Sequence, residues 1–396
     1  MSNNNPQQYS HEHYIAWMRL ARASKLGAKS FHNLLELFPN PQDALEYVKE
    51  INAKHKISGK KQIQPASIAE IEKEIELTEA FGAEILPYYH ECYPKLLKQI
   101  CDAPPVIIVK GDSSLLSKKS ISIVGARNAS IQGKSIAKKI SNDLGEAGYI
   151  VVSGLARGID TVAHQAAINH GTIGVIAGGI DSIYPKENRS LYEQMYEKHL
   201  IITEYPIRKP PIAQYFPQRN RIIAGLSIGT MVIEAAIKSG TLITTRLALE
   251  YNREVFAIPG SPLDSRYHGT NALIKNGAYL VESAEDIINI AEPLIEQLAK
   301  IDAHKKSGSA ESAESTYYCS DGDSKPYEGG TQMSNIHPKH YEIILDHLSY
   351  SPINVTQLIE SINDIPTRVI HLALIELEIE GKIHRDRANN VCLQPE

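Results

Sequence analysis

The sequence predicts an α/β protein built on a doubly wound, mainly parallel sheet, with a helical domain before it and a winged-helix module after it. Three observations carry this. From residue 121 to about 300, apolar runs of strand length (ISIVGA, YIVVSG, TIGVIAGG, LIITEY, IGTMVIEA, EVFAIPG, YLVES) alternate with amphipathic stretches, as strands joined by right-handed helical crossovers do. Before residue 84 apolar residues recur only at helical spacing. After residue 337 the helical period returns and ends in KIHRDRANNVCL, a candidate hairpin.

Taken in order, residues 1–84 form the helical domain: Tyr14, Trp17, Met18 and Leu20 share one helix face, and FHNLLELF at 31–38 and the run from 66 to 82 repeat the period. Residues 85–300 form the sheet core. Residues 301–336 hold seven Ser and four Gly without a period, the composition of a disordered linker. Residues 337–396 give three short helices (HYEIILDHLSY, NVTQLIESI, TRVIHLALIELEIEG) and a wing, the winged-helix arrangement.

At 396 residues, with 42% hydrophobic and 22% charged residues, the chain is long enough for two or three domains and too apolar for disorder throughout. Lys plus Arg number 41 against 46 acids, a net charge of −5, so a nucleic-acid partner requires a local basic patch. The four cysteines form no CxxC, which suggests neither zinc nor a disulfide framework. The opening MSNNNPQQYSHEHY lacks the basic flank and apolar run of a signal peptide, and no segment reaches the length of a membrane span. The expected location is the cytoplasm, with no membrane association.

In a parallel sheet, ligands bind beyond the carboxyl ends of the strands, where loops meet helix N-termini. The first such loop runs from Gly125 to Ser130: Gly125 permits a tight turn, Ser130 can cap the next helix and Arg127 can fork onto a phosphate. It is not GxGxxG, and Gly133-Lys134-Ser135 lacks the preceding glycine of a Walker A loop, so neither NAD nor an ATPase site is expected. The second loop places Ser153, Gly154, Arg157 and Gly158 at the same edge. Ser153, His164 and Asp160 do not form a nucleophile elbow. The third loop, Ala177 to Asp181 and then Tyr184-Pro185, also sets small residues before a helix start. So does the fifth, where Ser239 or Thr241 beside Gly240 would cap a helix.

Residues 207–221, IRKPPIAQYFPQRNR, hold Arg208, Lys209, Arg219 and Arg221 around Tyr215 and Phe216 with no acid. Cations that follow phosphates and rings that stack bases suit single-stranded nucleic acid. Pro217 predicts an extended backbone at Phe216, presenting the ring from a loop.

These residues resemble the DNA-processing protein A family (DprA, also called Smf), through YPKLLKQICDAPPVIIVKGD at 93–112, IVGARNAS, VVSGLARGIDTVAHQAAI, FPQRNRIIAGLS and EAAIKSGTLITTRLALEYNREVFAIPGSP, in order. The resemblance is densest from Tyr93 to Leu280. It implies a Rossmann-like core that binds single-stranded DNA, a homodimer, no enzyme activity and no cofactor. It further implies a role in loading the RecA recombinase onto incoming DNA coated by single-strand binding protein, during natural transformation and recombination. By motif, Arg127 would bind a phosphate, with the backbone at Ser153-Gly154 and Arg157-Gly158 lining the pocket. Phe216, Arg219, Asn220 and Arg221 would hold the strand, and Ser239, Gly240 and Thr241 would complete the wall. The resemblance extends to an N-terminal domain of SAM or helix-hairpin-helix type, although KLGAKS at 25–30 departs from its glycine-rich turn, which counts against duplex binding there.

Two rivals come from other classes. Glu234 at a strand end resembles the acid of nucleotide-cleaving phosphoribohydrolases, but the following Ser239-Gly240-Thr241 lacks their doubled glycine. A duplex-DNA regulator acting through residues 337–396 is disfavoured by five basic residues against nine acids there.

Overall fold

A computed structural model describes residues 9–58, 62–307, 336–362, 364–386 and 389–394. The chain divides into two compact units, Met1–Lys73 with Ser315–Glu396, and Glu74–Glu314.

The N-terminal segment begins with α1 (His11–Ala21), α2 (Ala28–Leu37), α3 (Pro41–Ser58) and α4 (Ile68–Ala80). Ser10 caps α1 by accepting from His13 N, and Ser67 and Glu70 cap α4 reciprocally. The apolar stripes of α1 to α3 meet at Trp17, Met18, Leu20, Phe31, Leu34 and Val48, where Trp17 and Phe31 pack edge to face at 5.0 Å.

The larger unit continues with β1 (Glu84–Pro87), α5 (Lys95–Lys98), β2 (Val106–Gly111), β3 (Ser120–Gly125), α6 (Ile131–Glu146), β4 (Ile150–Ser153), α7 (Ile159–Ala167), β5 (Thr172–Val175), α8 (Arg189–Lys198), β6 (Leu200–Thr203), α9 (Tyr215–Leu226), β7 (Gly229–Ile233), α10 (Thr241–Glu250), β8 (Glu254–Ala257), α11 (His268–Lys275), β9 (Tyr279–Leu280) and α12 (Ala284–Ser307). The sheet order is β1-β2-β6-β5-β4-β3-β7-β8-β9. From β6 across to β9 every pairing is parallel, while β1 and β2 are antiparallel additions at one edge. The chain winds outward from β3 to β6, then returns to β7 on the other side of β3. Loops therefore diverge beside the carboxyl end of β3, the switch point where doubly wound sheets bind ligands.

Both faces are covered, which is why the parallel strands read as unbroken apolar runs. Along β4, Val151 packs with Ile140 and Leu144 of α6, while Val152 faces the opposite core with Ile222 and Ile223 of α9 and Leu247 of α10. The α/β class, the mainly parallel sheet and the N-terminal helical domain stand as the sequence predicts.

Helix α12 runs through Ser307, so the first residues assigned to the linker continue a helix. The rest of that segment, 308–335, lies outside the described residues. The C-terminal segment comprises α13 (Pro338–Asp346), β10 (Ile353–Asn354), α14 (Val355–Ser361), α15 (Thr367–Ile379), β11 (Ile383–Arg385) and β12 (Asn390–Leu393), with an antiparallel sheet ordered β10-β12-β11.

His164 on α7 is fully buried, its Nδ1 2.7 Å from Thr172 Oγ1. Burial, with a smaller repulsion from His199, pushes its pKa down to about 3. The unfolded chain, with a histidine near 6.5, then binds the extra proton between the two values, so the native state loses stability as pH falls below 6.5. Stability should drop by about 2 kcal/mol from this residue between pH 8 and pH 5. Urea melts of wild type and His164→Asn across that range check it, since the variant should lose less on acidification.

Candidate nucleic-acid interface

The carboxyl ends of β3, β4, β5, β6 and β7 bring the predicted site residues to one edge of the sheet, but give them unequal roles. Arg127 leaves β3 on an exposed turn. That turn lies against the next loop because residue 158 is glycine: its φ is 81°, and a side chain there would strike the carbonyls of Ala126 and Arg127. Ile159 N closes the contact by donating to Ala126 O at 3.2 Å.

Phe216 differs from expectation. It lies in the first turn of α9, not on an extended loop. Proline is tolerated at the start of a helix because the first N–H groups have no helical acceptor, so Pro217 does not exclude helix before it. The half-buried ring of Phe216 is nevertheless presented at the edge, with the guanidinium carbons of Arg127 at 5.7 Å and Arg219 at 5.9 Å from its centroid. Tyr184 packs edge-on to it at 5.5 Å and is half exposed. Beside them Tyr205 and Tyr215 stack at 4.1 Å. The sequence shows Tyr184 only as part of a loop, and nothing there pairs it with Phe216.

The helix also separates the two arginines expected to grip a strand. Residues two apart on a helix point in different directions. Arg219, 3% exposed, runs inward and donates from Nη1 to Val175 O at 2.6 Å. It passes over Gly154, where any Cβ would collide with its guanidinium. Burial lowers its pKa, opposed first by Asp160. Arg221, also buried, turns the other way: Nη1 donates to Asp102 O at 2.5 Å and Nη2 pairs with Glu204. Both guanidinium groups are thus buried and engaged within the protein, Arg219 beside the Phe216 ring and Arg221 between Asp102 and Glu204.

In the first and second loops, backbone donors are taken by carboxylates of the protein itself. Ser130 caps α6 as expected, accepting from Gly133 N at 2.9 Å. The fully buried Glu234 carboxylate also lies there, taking Ser130 N at 2.8 Å and the Ser130 hydroxyl. In the second loop Asp160 accepts from Gly154 N at 3.2 Å and Ala156 N at 3.4 Å, and burial raises its pKa against the pull of Arg219. Glu234 thus lies at the N-terminus of α6, and Asp160 takes backbone donors of the loop before α7, both of which a phosphate could otherwise use.

The remaining predicted residues divide between edge and scaffold. Ser153 Oγ donates to Ile123 O at 2.6 Å inside the sheet. Arg157 is exposed and pairs with Glu187. Asn220 Nδ2 lies 3.5 Å from Gly240 O. The cap position of α10 is Gly240 with no side-chain cap, correcting the expectation for Ser239 and Thr241. Thr241 Oγ1 instead donates to Gly125 O at 3.2 Å, tying α10 to the end of β3. No group of three or more metal-binding side chains occurs among the described residues.

A family model described as DNA recombination-mediator protein A matches residues 84–292, and one for a DprA-like N-terminal HHH domain matches residues 11–76. The chain belongs to the DNA recombination-mediator protein A family. The DNA processing protein DprA of Bacillus subtilis is 46% identical over 209 residues, 52% of this chain and 70% of that protein. The X-ray structure of DNA processing protein A from Streptococcus pneumoniae matches with TM-score 0.57 and 34% identity, over 71% of this chain and 98% of that one. DNA processing protein A from Helicobacter pylori, described for its single-stranded DNA binding mode, matches with TM-score 0.49 and 29% identity over 54% of this chain and 96% of that one. The family resemblance read from the sequence is thereby shown. No described helix is long and apolar enough to cross a membrane.

Proposed function

We propose that this protein binds single-stranded DNA along the carboxyl edge of its parallel sheet, without catalysis or a cofactor. As a cytoplasmic homodimer it would protect incoming DNA. It would also help load a RecA recombinase onto strands coated by single-strand binding protein, in natural transformation and recombination. The C-terminal segment would be a winged helix. One observation carries the DNA reading: a partly buried Phe216 ring at the switch-point edge, with the half-exposed Tyr184 at its side and the exposed Arg127 guanidinium above it. A base can stack on such a ring while the neighbouring cation meets its phosphate, and neither contact depends on base identity. Exposed Arg208 and Lys209 extend positive charge along the same edge.

With Glu234 and Asp160 already at the backbone donors, phosphate contacts fall to exposed side chains. Arg127→Ala should therefore weaken single-strand binding uniformly across sequences and flatten the plot of log K against log salt by about 0.7. Fluorescence anisotropy with mixed-sequence oligonucleotides from 50 to 300 mM salt checks this. An unchanged slope would remove Arg127 from the interface.

The same titration on wild type, with single-stranded and duplex oligonucleotides, tests the function itself. A clear preference for single strands is expected, and equal or tighter duplex binding would overturn the proposal. The nucleotide-cleaving alternative finds no support at Glu234, whose carboxylate is buried against Ser130. Release of free base from AMP would revive it.

A further inference from the structure

In a winged helix that reads duplex DNA, the third helix enters the major groove and needs an open face. Helix α15 has none. Leu372, Ala373, Leu374 and Ile375 are consecutive, so they point in four directions around the helix, and all are buried. The helix packs on α13 of its own segment and also on α2 of the N-terminal helices. Its acids, Glu376 and Glu378, are not complementary to a phosphate backbone.

The polar contacts cross the same boundary. Glu376 is a buried carboxylate that accepts from Tyr341 of α13 on one side and from Tyr47 of α3, at 2.9 Å, on the other. A buried carboxylate is costly unless hydrogen-bonded, and here half of its partners come from the N-terminal helices. At the margin, Lys29 Nζ donates to Asp386 O, and the Arg368 guanidinium lies 5.4 Å from the centre of the Phe38 ring. The buried Arg385 interacts electrostatically with Glu378 of α15 and Glu36 of α2. Apolar packing, a shared buried acid and a charged rim make up an interface, and both of its sides belong to one compact unit.

We propose that the C-terminal segment is an intramolecular dock, which binds the α2–α3 face of the N-terminal helical domain through α15 and takes that face as its partner in place of duplex DNA. The dock holds the two ends of the chain together independently of what the sheet edge binds.

The test uses the full chain with a protease sequence inserted between residues 308 and 335. After cutting, the C-terminal piece should co-elute with the remainder on gel filtration at 1 μM. Lys29→Glu combined with Arg368→Glu, both outside the hydrophobic cores, should raise the released fraction at least tenfold. Hydrogen exchange on the uncut wild type gives a readout free of any variant. Amides of α15 should be protected as strongly as those of α2, and saturating duplex oligonucleotide should not change them. A wild-type piece that separates on cutting, or α15 amides that become protected only when duplex is added, would overturn the proposal.

Discussion

Replacing Arg219 with alanine should lower the stability of the sheet unit by about 3–5 kcal/mol, the usual cost of removing one partner from a buried charged arrangement. The guanidinium is 3% exposed, satisfies Val175 O at 2.6 Å and offsets the burial of Asp160. Without it, the Val175 carbonyl loses its donor, Asp160 loses its cation, and a cavity opens above Gly154. For a unit of this size the melting temperature should fall by roughly 6–20 °C. A residue whose task was to hold phosphate would behave oppositely, since its removal relieves charge repulsion or leaves the melt unchanged. Thermal melting of Arg219→Ala without DNA separates these roles, and a wild-type melt combined with lost DNA affinity would return Arg219 to the interface.

A comparable loss, again about 3–5 kcal/mol, is expected for Arg221→Ala, because Glu204 is left as an uncompensated acid beside Asp102. The informative comparison is the double variant Arg221→Met with Glu204→Leu. Replacing both members of a buried pair with apolar groups of similar volume is often nearly neutral, so the double variant should recover most of the stability that Arg221→Ala loses. Its single-strand affinity and salt slope should also stay close to wild type, because neither side chain reaches the strand. A double variant that melts normally but has lost one unit of phosphate contact in the salt slope would show that Arg221 binds DNA.

What the sequence reveals and what it conceals follow from period and chirality. The parallel strands are legible because burial on both faces leaves continuous apolar runs such as ISIVGA and YIVVSG. The antiparallel edge is not, because Glu84–Pro87 pairs with Val106–Val109 across an intervening helix, without the short turn that signals a hairpin. At the site, the loops and Phe216 are legible from glycines, Ser130 and the basic-aromatic run. Arg219 and Arg221 read as one basic cluster in the sequence, and only the helical period of α9 sends one towards β5 and the other towards Glu204. Glu234 is concealed for a different reason. Its buried carboxylate reaches Ser130 from a backbone with φ of 55°, a left-handed conformation that nothing in the local sequence announces.

The central claim is that a base stacks on Phe216 at the sheet edge, and the most direct measurement is single-strand affinity of Phe216→Ala beside its thermal melt. Because the ring is only partly buried, outside the hydrophobic cores, and sits at the start of α9, truncation should leave the melting temperature within a few degrees of wild type. Affinity should fall about tenfold to a hundredfold, or 1–3 kcal/mol, with the salt slope nearly unchanged because no charge is removed. Unchanged affinity, or a loss of binding that merely follows a collapse of the melt, would contradict the stacking role and with it the proposed path of the strand.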